Sequence, residues 1–135
     1  MFKQEVVSPE LAQPNGHFAQ AITVPAGRLV FISGMTARNA AGGVTGVGDI
    51  TAQTHQVCQN LDAAVRAAGG TLDDIVRVDV YVRNMEDFAA IHEVRKQYFK
   101  GVPPASTMVE VSKFVNKDYL IEMNAIAVLP EEGSR

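Results

Sequence analysis

The sequence predicts a single α+β domain in which two helices pack on one face of a mixed sheet. Two segments have apolar residues at three- and four-residue steps, which is typical of helices, and five shorter apolar or alternating runs indicate strands. Their order is strand, strand, helix, strand, helix, strand, strand, which favours the α+β class. A length of 135 residues with 47% hydrophobic content suits one domain with one core.

The N-terminal part of the chain predicts a hairpin preceded by an irregular lead-in. Residues up to about Gly16 lack sustained periodicity. Residues 19–24 alternate, Pro25-Ala26-Gly27 suits a turn, and the apolar run 29–32 predicts a mostly buried second strand that ends at Ser33-Gly34. The glycine-rich stretch 38–49 predicts a surface loop with a short extended piece near residues 44–47.

The remaining elements follow from periodicity and from helix stop signals. Gly69-Gly70 ends the first helix, Thr71 with Asp73-Asp74 suits a single helical turn, and Gly101 with Pro103-Pro104 ends the second helix. The predicted elements are a helix over 51–68, a strand with one polar face over 75–82, a helix over 85–99, and strands over 107–111 and 120–128. Two helices leave one face of this apolar sheet uncovered, so another subunit is expected to cover it.

Composition narrows the classes of function. The net charge of −3 lacks the basic excess that phosphate-backbone binding requires, so nucleic acid is not an expected partner. We expect a cytoplasmic protein with no membrane partner, because no apolar run approaches a membrane span and the N-terminus lacks a signal-type stretch. The lone Cys58 excludes an intrachain disulfide, and the three histidines lack metal-ligand spacing, so no metal site is expected.

Three residues are candidates for chemistry, each with a structural alternative. Glu122 lies between Ile121 and Met123 in a core-like strand, and it is either an ordinary surface acid or a carboxylate that positions water. His92 is either a solvated or interface histidine or a catalytic one. Cys58 is either a reactive thiol or a small packed side chain.

Taken together, six segments resemble the Rid family (reactive intermediate deaminase, YjgF-like or L-PSP) from about residue 14 to residue 128. They are NGHFAQAI, LVFISG, AQTHQVCQNLDAAVRAAGGTLDDIVRVDVYV, MEDFAAIHEVRKQYF, PPASTMVEV and IEMNAIAV. The resemblance implies a chorismate-mutase-like fold over the single domain 1–135 and a homotrimer with a cleft at each subunit boundary. It also implies hydrolysis of small enamine or imine acids to a carbonyl compound and ammonia, without a cofactor.

Carried over residue by residue, the resemblance keeps two site residues and changes four. The serine of the SG motif is Ser33, and the water-positioning glutamate is Glu122. The positions that differ from the family archetype are Phe18 for an aromatic hydroxyl, His92 for an asparagine, Met108 for a cysteine, and Ser106 for the arginine that binds the substrate carboxylate.

The change at Ser106 makes a simple 2-aminoacrylate deaminase doubtful, because one neutral hydroxyl cannot reproduce a bidentate arginine–carboxylate contact. Arg38 follows the SG strand and is a candidate replacement, as in Rid-type deaminases that act on 2-aminomuconate; alternatively it is a solvated loop cation. With His92 it would recognise the acid, while Ser33, Ser106 and Thr107 would supply hydroxyl contacts.

Two functions from different classes therefore remain. The first is an enamine/imine deaminase with an altered pocket, with Glu122 and His92 as its catalytic candidates. The second is a noncatalytic trimer that binds a small metabolite or a partner in the same clefts. A ribonuclease activity, sometimes attributed to the family, is disfavoured by the negative net charge and the lack of paired catalytic histidines.

Overall fold

A computed structural model describes residues 2–131 of the chain, and these residues form two helices and two sheets. The elements, in chain order, are β1 (Gln4–Val6), β2 (Ala21–Thr23), β3 (Gly27–Met35), α1 (Ile50–Ala67), β4 (Ile75–Val82), α2 (Phe88–Tyr98), β5 (Ala105–Glu110) and β6 (Ile121–Pro130). Single 3₁₀ turns at Leu72–Asp74 and Met85–Asp87 precede β4 and α2. The predicted α+β class is confirmed.

The main sheet has the strand order β3-β6-β4-β5. β6 pairs antiparallel with both β3 and β4, while β4 and β5 are parallel. Both helices pack on one face, on a core of alternate strand residues that includes Val78, Val80 and Met123. The sheet is therefore mixed, with β3 at one edge and β5 at the other.

Local signals at the ends of α1 match the sequence pattern. The Asp49 carboxylate accepts a hydrogen bond from the Ala52 amide at 3.1 Å, which satisfies one free amide of the first turn. After the last turn, Gly69 adopts a φ of +96°, a conformation that glycine reaches without strain. The glycine pair thus ends the helix as predicted.

The N-terminal prediction was wrong in its pairing. β2 pairs with β1, a short strand within the supposedly irregular lead-in, and not with β3. β3 instead pairs with β6, and Gly27 approaches the Leu129 carbonyl so closely that a β-carbon would collide with it. Neighbours in the sequence did not pair because the C-terminal strand offers β3 a ten-residue partner, whereas β2 has only three residues.

The predicted burial of β3 was also wrong, and the strand extends past Ser33-Gly34 to Met35. Ile32 points into the helix-covered core, but Leu29 and Phe31 point to the other face and are 60% and 72% exposed. The reason is strand alternation, since only one face of the sheet meets the helices. The open face therefore carries large apolar side chains, including Val109 on the opposite edge strand, exposed to 43%.

The fully buried Gln53 of α1 joins two loops to the helix. Its amide nitrogen donates to the carbonyls of Gly46 and Asp118 at 3.1 and 2.8 Å, and its amide oxygen accepts from the Leu120 amide at 2.9 Å. Leu120 immediately precedes β6, so Gln53 fixes the point where that strand begins.

We expect Gln53→Leu to lower the free energy of unfolding by about 2–4 kcal/mol, because it leaves two carbonyls and one amide without their partner. Chemical denaturation measures this change. Gln59→Leu, an exposed position on the same helix, is the matched control and should stay within about 0.5 kcal/mol of wild type. Equal effects of the two substitutions would show that the Gln53 bonds do not hold the loops.

Candidate functional site

A cleft of about 740 Å³ opens at the β3 edge of the sheet, next to α1. It is lined by Gly34, Met35, Thr36, Arg38, Asn39, Ala40, Gln56, Asn60, Ala63, Ala64, Val115, Tyr119 and Glu122. Most of these side chains are neutral. Glu122 and Arg38 supply one negative and one positive charge to the same space, so the cleft is suited to a polar ligand of small size.

Glu122 is positioned by β6 and by the end of β3. It pairs across the sheet with Tyr81, on the open face, while its neighbours Ile121 and Met123 are buried on the helix face. Its carboxylate lies directly over the α-carbon of Gly34, so closely that any side chain at position 34 would displace it. The β-bulge between Ile32 and Met35 occurs at this contact. Glu122 is half-buried, which leaves its carboxylate accessible from the cleft.

Arg38 enters the same cleft from the loop after β3. Its backbone pairs with Val44, and its carbonyl accepts a hydrogen bond from Asn60 on α1 at 2.9 Å. The side chain extends over Gly42 and is exposed. The structure therefore brings Arg38 and Glu122 together, as hypothesised. Ser33 is exposed on β3 and lies outside the residues that line this cleft.

A second pocket, of about 390 Å³, lies at α2 on the β5 side of the sheet. Its residues are Asn15, Gly16, His17, Phe88, Ala89, His92, Glu93 and Lys96. Residues 16–19 reach this position because His17 contacts the Phe99 carbonyl at 2.6 Å and the Ala19 amide donates to the Pro104 carbonyl at 3.1 Å. Phe18 lies between these anchors and is half-buried.

His92 forms the floor of this pocket. It is 6% exposed, stacks on Phe88 with ring centroids 4.0 Å apart, and its Nδ1 lies 3.0 Å from the Phe88 carbonyl. Because a carbonyl only accepts, Nδ1 carries the proton and the Nε2 lone pair is directed towards Gly16. Burial is the main cause that lowers the pKa of His92. The hydrogen bond to the Phe88 carbonyl raises this pKa, and the nearby charges of Arg95, His17 and Lys96 lower it further. The neutral ring can accept a proton there.

Ser106 lies on the helix-facing side of β5, opposite Val78, and its hydroxyl contacts Arg95 of α2 at 3.2 Å. Met108 follows on the same side and packs against the core. The structure thus groups Ser106, Met108, Phe18 and His92 at the β5 edge. Arg95 joins them although the sequence pattern did not single it out.

Thr107 points away from this group, to the open face. Its hydroxyl accepts from Arg77 at 2.7 Å, and the same guanidinium pairs with Asp79, which also accepts from Asn124. The polar network occupies the middle of the open face. Thr107 is therefore engaged with β4 and β6, and it does not share a pocket with Ser106.

The predicted site residues consequently form two separate groups. Glu122 is on β6, beside the β3 edge and on the open face, whereas Ser106 is on β5 and on the helix face. Two strand spacings alone separate them by roughly 10 Å. Of the two pockets described above, neither is lined by residues of both groups.

Comparison with known proteins identifies the family. A family model described as Endoribonuclease L-PSP matches residues 9–129. The chain belongs to the Rid/YjgF family. The resemblance drawn from the six sequence segments is thereby confirmed.

Two sequence relatives in the Rid family match nearly the whole chain. A RutC family protein of Pyrococcus abyssi is 39% identical over 127 residues, which covers 94% of this chain and 98% of the relative. A 2-iminobutanoate/2-iminopropanoate deaminase of Dermatophagoides farinae is 33% identical over 130 residues, covering 96% and 99%. Neither alignment contains a large unmatched region.

Solved Rid family structures share the fold. YyfB of Yersinia pestis superimposes with a TM-score of 0.86 at 34% identity, covering 96% of this chain and all of that one. Escherichia coli TdcF, whose crystal structure contains bound serine, gives a TM-score of 0.71 at 29% identity and covers 94% and 99%. The arrangement of helices and sheet described above is therefore the Rid arrangement.

The sequence pattern did not single out Arg95, and it left two alternatives for Cys58, a reactive thiol or a packed side chain. Arg95 follows Ile91 by four residues on the apolar stripe of α2, so a charge within a buried stripe was the available signal. Cys58 is fully buried, and burial raises the pKa of its thiol to about 12, which favours the packed alternative. Within residues 2–131, no three acidic, histidine or cysteine side chains cluster as a metal site would require, and no helix is long and apolar enough to cross a membrane.

The lowered pKa of His92 makes stability depend on pH. Because the folded state disfavours the charged ring, its contribution is complete above the ordinary pKa of 6.5 and is lost as the pH falls through the lower folded value. We expect wild type to lose stability as the pH falls below the ordinary value of 6.5, and His92→Gln to lose less, as measured by urea denaturation at each pH. Identical pH profiles would contradict the assigned burial of a neutral ring.

Proposed function

We propose that this protein hydrolyses an imine acid to a carbonyl compound and ammonia in clefts between subunits. The observation that carries the proposal is the Glu122 carboxylate, held over Gly34 in the cleft of about 740 Å³ that Arg38 also lines. Family membership and the imine deaminase among the relatives support the reaction class. The substrate is expected to differ from 2-aminoacrylate, with a larger acid such as 2-aminomuconate as a candidate.

The chemistry requires one base that acts twice. Glu122 accepts a proton from water as the water oxygen bonds to the imine carbon. The same group returns that proton to the nitrogen, which completes the carbinolamine. The carboxylate then takes the hydroxyl proton of the carbinolamine and passes it to the nitrogen, while the carbonyl forms and the carbon–nitrogen bond breaks to release ammonia. A cleft that holds the substrate acid on Arg38 keeps the imine carbon near this base.

Glu122→Gln keeps the shape of the side chain and removes the base. We expect it to lower kcat by about 10²–10⁴-fold, the range of general acid–base catalysis. The assay measures ammonia release above the spontaneous rate from imines generated by an amino-acid oxidase, and from 2-aminomuconate. If wild type and Glu122→Gln are equally inert on every substrate, the deaminase proposal is wrong.

Gly34→Ala tests the position of the carboxylate rather than its presence. The added methyl group would displace the flexible end of Glu122, so activity should fall at least about tenfold while the free energy of unfolding changes by less than about 1 kcal/mol. Gly43→Ala is the control, because a β-carbon there meets only ordinary contacts. Full activity of Gly34→Ala would show that the Glu122–Gly34 contact is not needed.

A ring of three subunits would unite the two groups of site residues. In a head-to-tail ring the β3 edge of one subunit meets the β5 edge of the next, which brings Glu122 of one chain towards Ser106 of its neighbour. The same ring would cover the exposed Leu29 and Phe31 of the open face. The homotrimer is therefore part of the proposal.

Phe31→Asp should dissociate the trimer, because it places a charge in the proposed interface, where the Phe31 side chain would be buried. We expect the mass from light scattering to fall from three chains to one, with loss of activity. Leu11→Asp, a comparably exposed position in the lead-in, should leave the mass unchanged. A trimer that survives Phe31→Asp would place the interface elsewhere.

The noncatalytic alternative rests on the changed positions Phe18, Ser106 and Met108. A metabolite-binding trimer would bind a small acid saturably in calorimetry and leave it intact. Ammonia release above background from that same acid would exclude this alternative.

A further inference from the structure

The side chain of Arg95 is buried without a compensating charge. It is 1% exposed, and its only hydrogen bond among the described residues is the one to Ser106. Its Nε has no acceptor in this part of the chain. The ion pairs between described residues involve other cations and leave Arg95 out. A buried guanidinium in this condition costs several kcal/mol unless an anion joins it.

Cys58 is the titratable neighbour of Arg95, but it does not supply that anion. Burial raises the pKa of the thiol to about 12, so it is neutral near pH 7. Burial also lowers the pKa of Arg95 to about 10, which still leaves the guanidinium charged at neutral pH. The nearby ionisable group therefore leaves the positive charge unbalanced.

The hydroxyl of Ser106 lies between the buried Arg95 guanidinium and the surface. A guanidinium only donates hydrogen bonds, so the Ser106 oxygen must be the acceptor, and its own proton is free to be donated elsewhere. Ser106 is half-buried whereas Arg95 is enclosed. A ligand can therefore reach the hydroxyl, with the cation 3.2 Å behind it. The β5 edge that carries Ser106 is the edge assigned to the subunit boundary.

We propose that Ser106 and Arg95 form a composite site for the substrate carboxylate, in which Ser106 donates a hydrogen bond to the carboxylate and Arg95 supplies the positive charge. The inference rests on the proposed function and deepens it, since it names Ser106 and Arg95 as the groups of this chain that hold the carboxylate next to the imine carbon. Arg95 is a positioning residue, because it acts through Ser106. Arg38, on the other wall, is then available for a second acidic group of a larger substrate.

The first experiment measures stability and needs no substrate. Ser106→Asp and Ser106→Asn have the same shape, but only Ser106→Asp places a carboxylate beside Arg95. We expect Ser106→Asp to have the higher Tm at pH 7, and the difference to shrink when the pH is lowered far enough to protonate the new carboxylate. A Tm of Ser106→Asp equal to or below that of Ser106→Asn would show that Arg95 already has an anion, and would overturn the proposal.

The second experiment measures binding to the intact trimer by calorimetry, with 2-oxobutanoate as the probe and 2-butanone as its uncharged analogue. Wild type should bind 2-oxobutanoate, and Ser106→Asp should raise its Kd at least about tenfold by repelling the carboxylate. Ser106→Thr keeps the hydroxyl and should retain binding. If wild type fails to bind, or if Ser106→Asp binds equally well, the composite site is excluded.

The same variants separate this inference from the reaction itself. With amino-acid oxidase imines as substrates, Ser106→Asp should raise KM at least about tenfold with a smaller effect on kcat, and Ser106→Thr should bring KM back towards the wild-type value. A fall in kcat at unchanged KM would indicate a structural role for Ser106 and would overturn the proposal. If wild type releases no ammonia but binds 2-oxobutanoate in a Ser106-dependent way, the proposed function fails and the anion site stands.

If Ser106→Asp and Ser106→Asn both fail to fold, Ser106→Ala is the smaller replacement, with the same expected loss of binding.

Discussion

The strand order of the main sheet determines where chemistry can occur in this protein. With β6 and β4 in the middle, β3 and β5 are necessarily the two edges, and each edge carries one group of polar site residues. Glu122 is held near the β3 edge by a strand whose start is fixed by Gln53, and Ser106 is held at the β5 edge beside α2. No side-chain rotation joins them, because they also face opposite sides of the sheet. In the proposed trimer a second chain completes the site, and the exposed Leu29 and Phe31 provide a physical reason for one to bind.

Each group of site residues also depends on a close approach that ordinary side chains would prevent. Gly34 allows the Glu122 carboxylate to lie against the backbone at the bulge, and Gly16 allows His92 to lie beneath the lead-in. His92 is thereby kept buried and neutral, stacked on Phe88. Arg95 differs from the neutral, buried His92, since Arg95 is a buried cation whose nearest polar contact is a hydroxyl. That imbalance is the observation on which the proposed carboxylate site rests.

The sequence pattern predicted the helices, the two inner strands and the class of fold because each of these has a strong local period. The pairing of β3 with β6 joins segments about a hundred residues apart, and no local period encodes such a contact. Likewise, Glu122 could be singled out because a carboxylate interrupts a core-like strand. Arg95 offered a weaker signal, its place on the apolar stripe of α2, because arginine on a helix is usually solvated and only the packed structure shows that position 95 faces β5. The side of the sheet taken by Ser106 and Thr107 was equally hidden, since it depends on which face the helices cover.

The central claim is that one site is built from Glu122 of one subunit and Ser106 of the next. Co-expression of Glu122→Gln and Ser106→Asp chains with different tags, followed by purification of mixed trimers, tests it directly. Each mixed trimer contains two chains of one kind and one of the other, so about one third of its boundaries receive an intact Glu122 and an intact Ser106 from different chains. The account predicts that mixed trimers recover about that fraction of wild-type ammonia release from imine acids. Mixed trimers as inactive as the separate parent variants would contradict it.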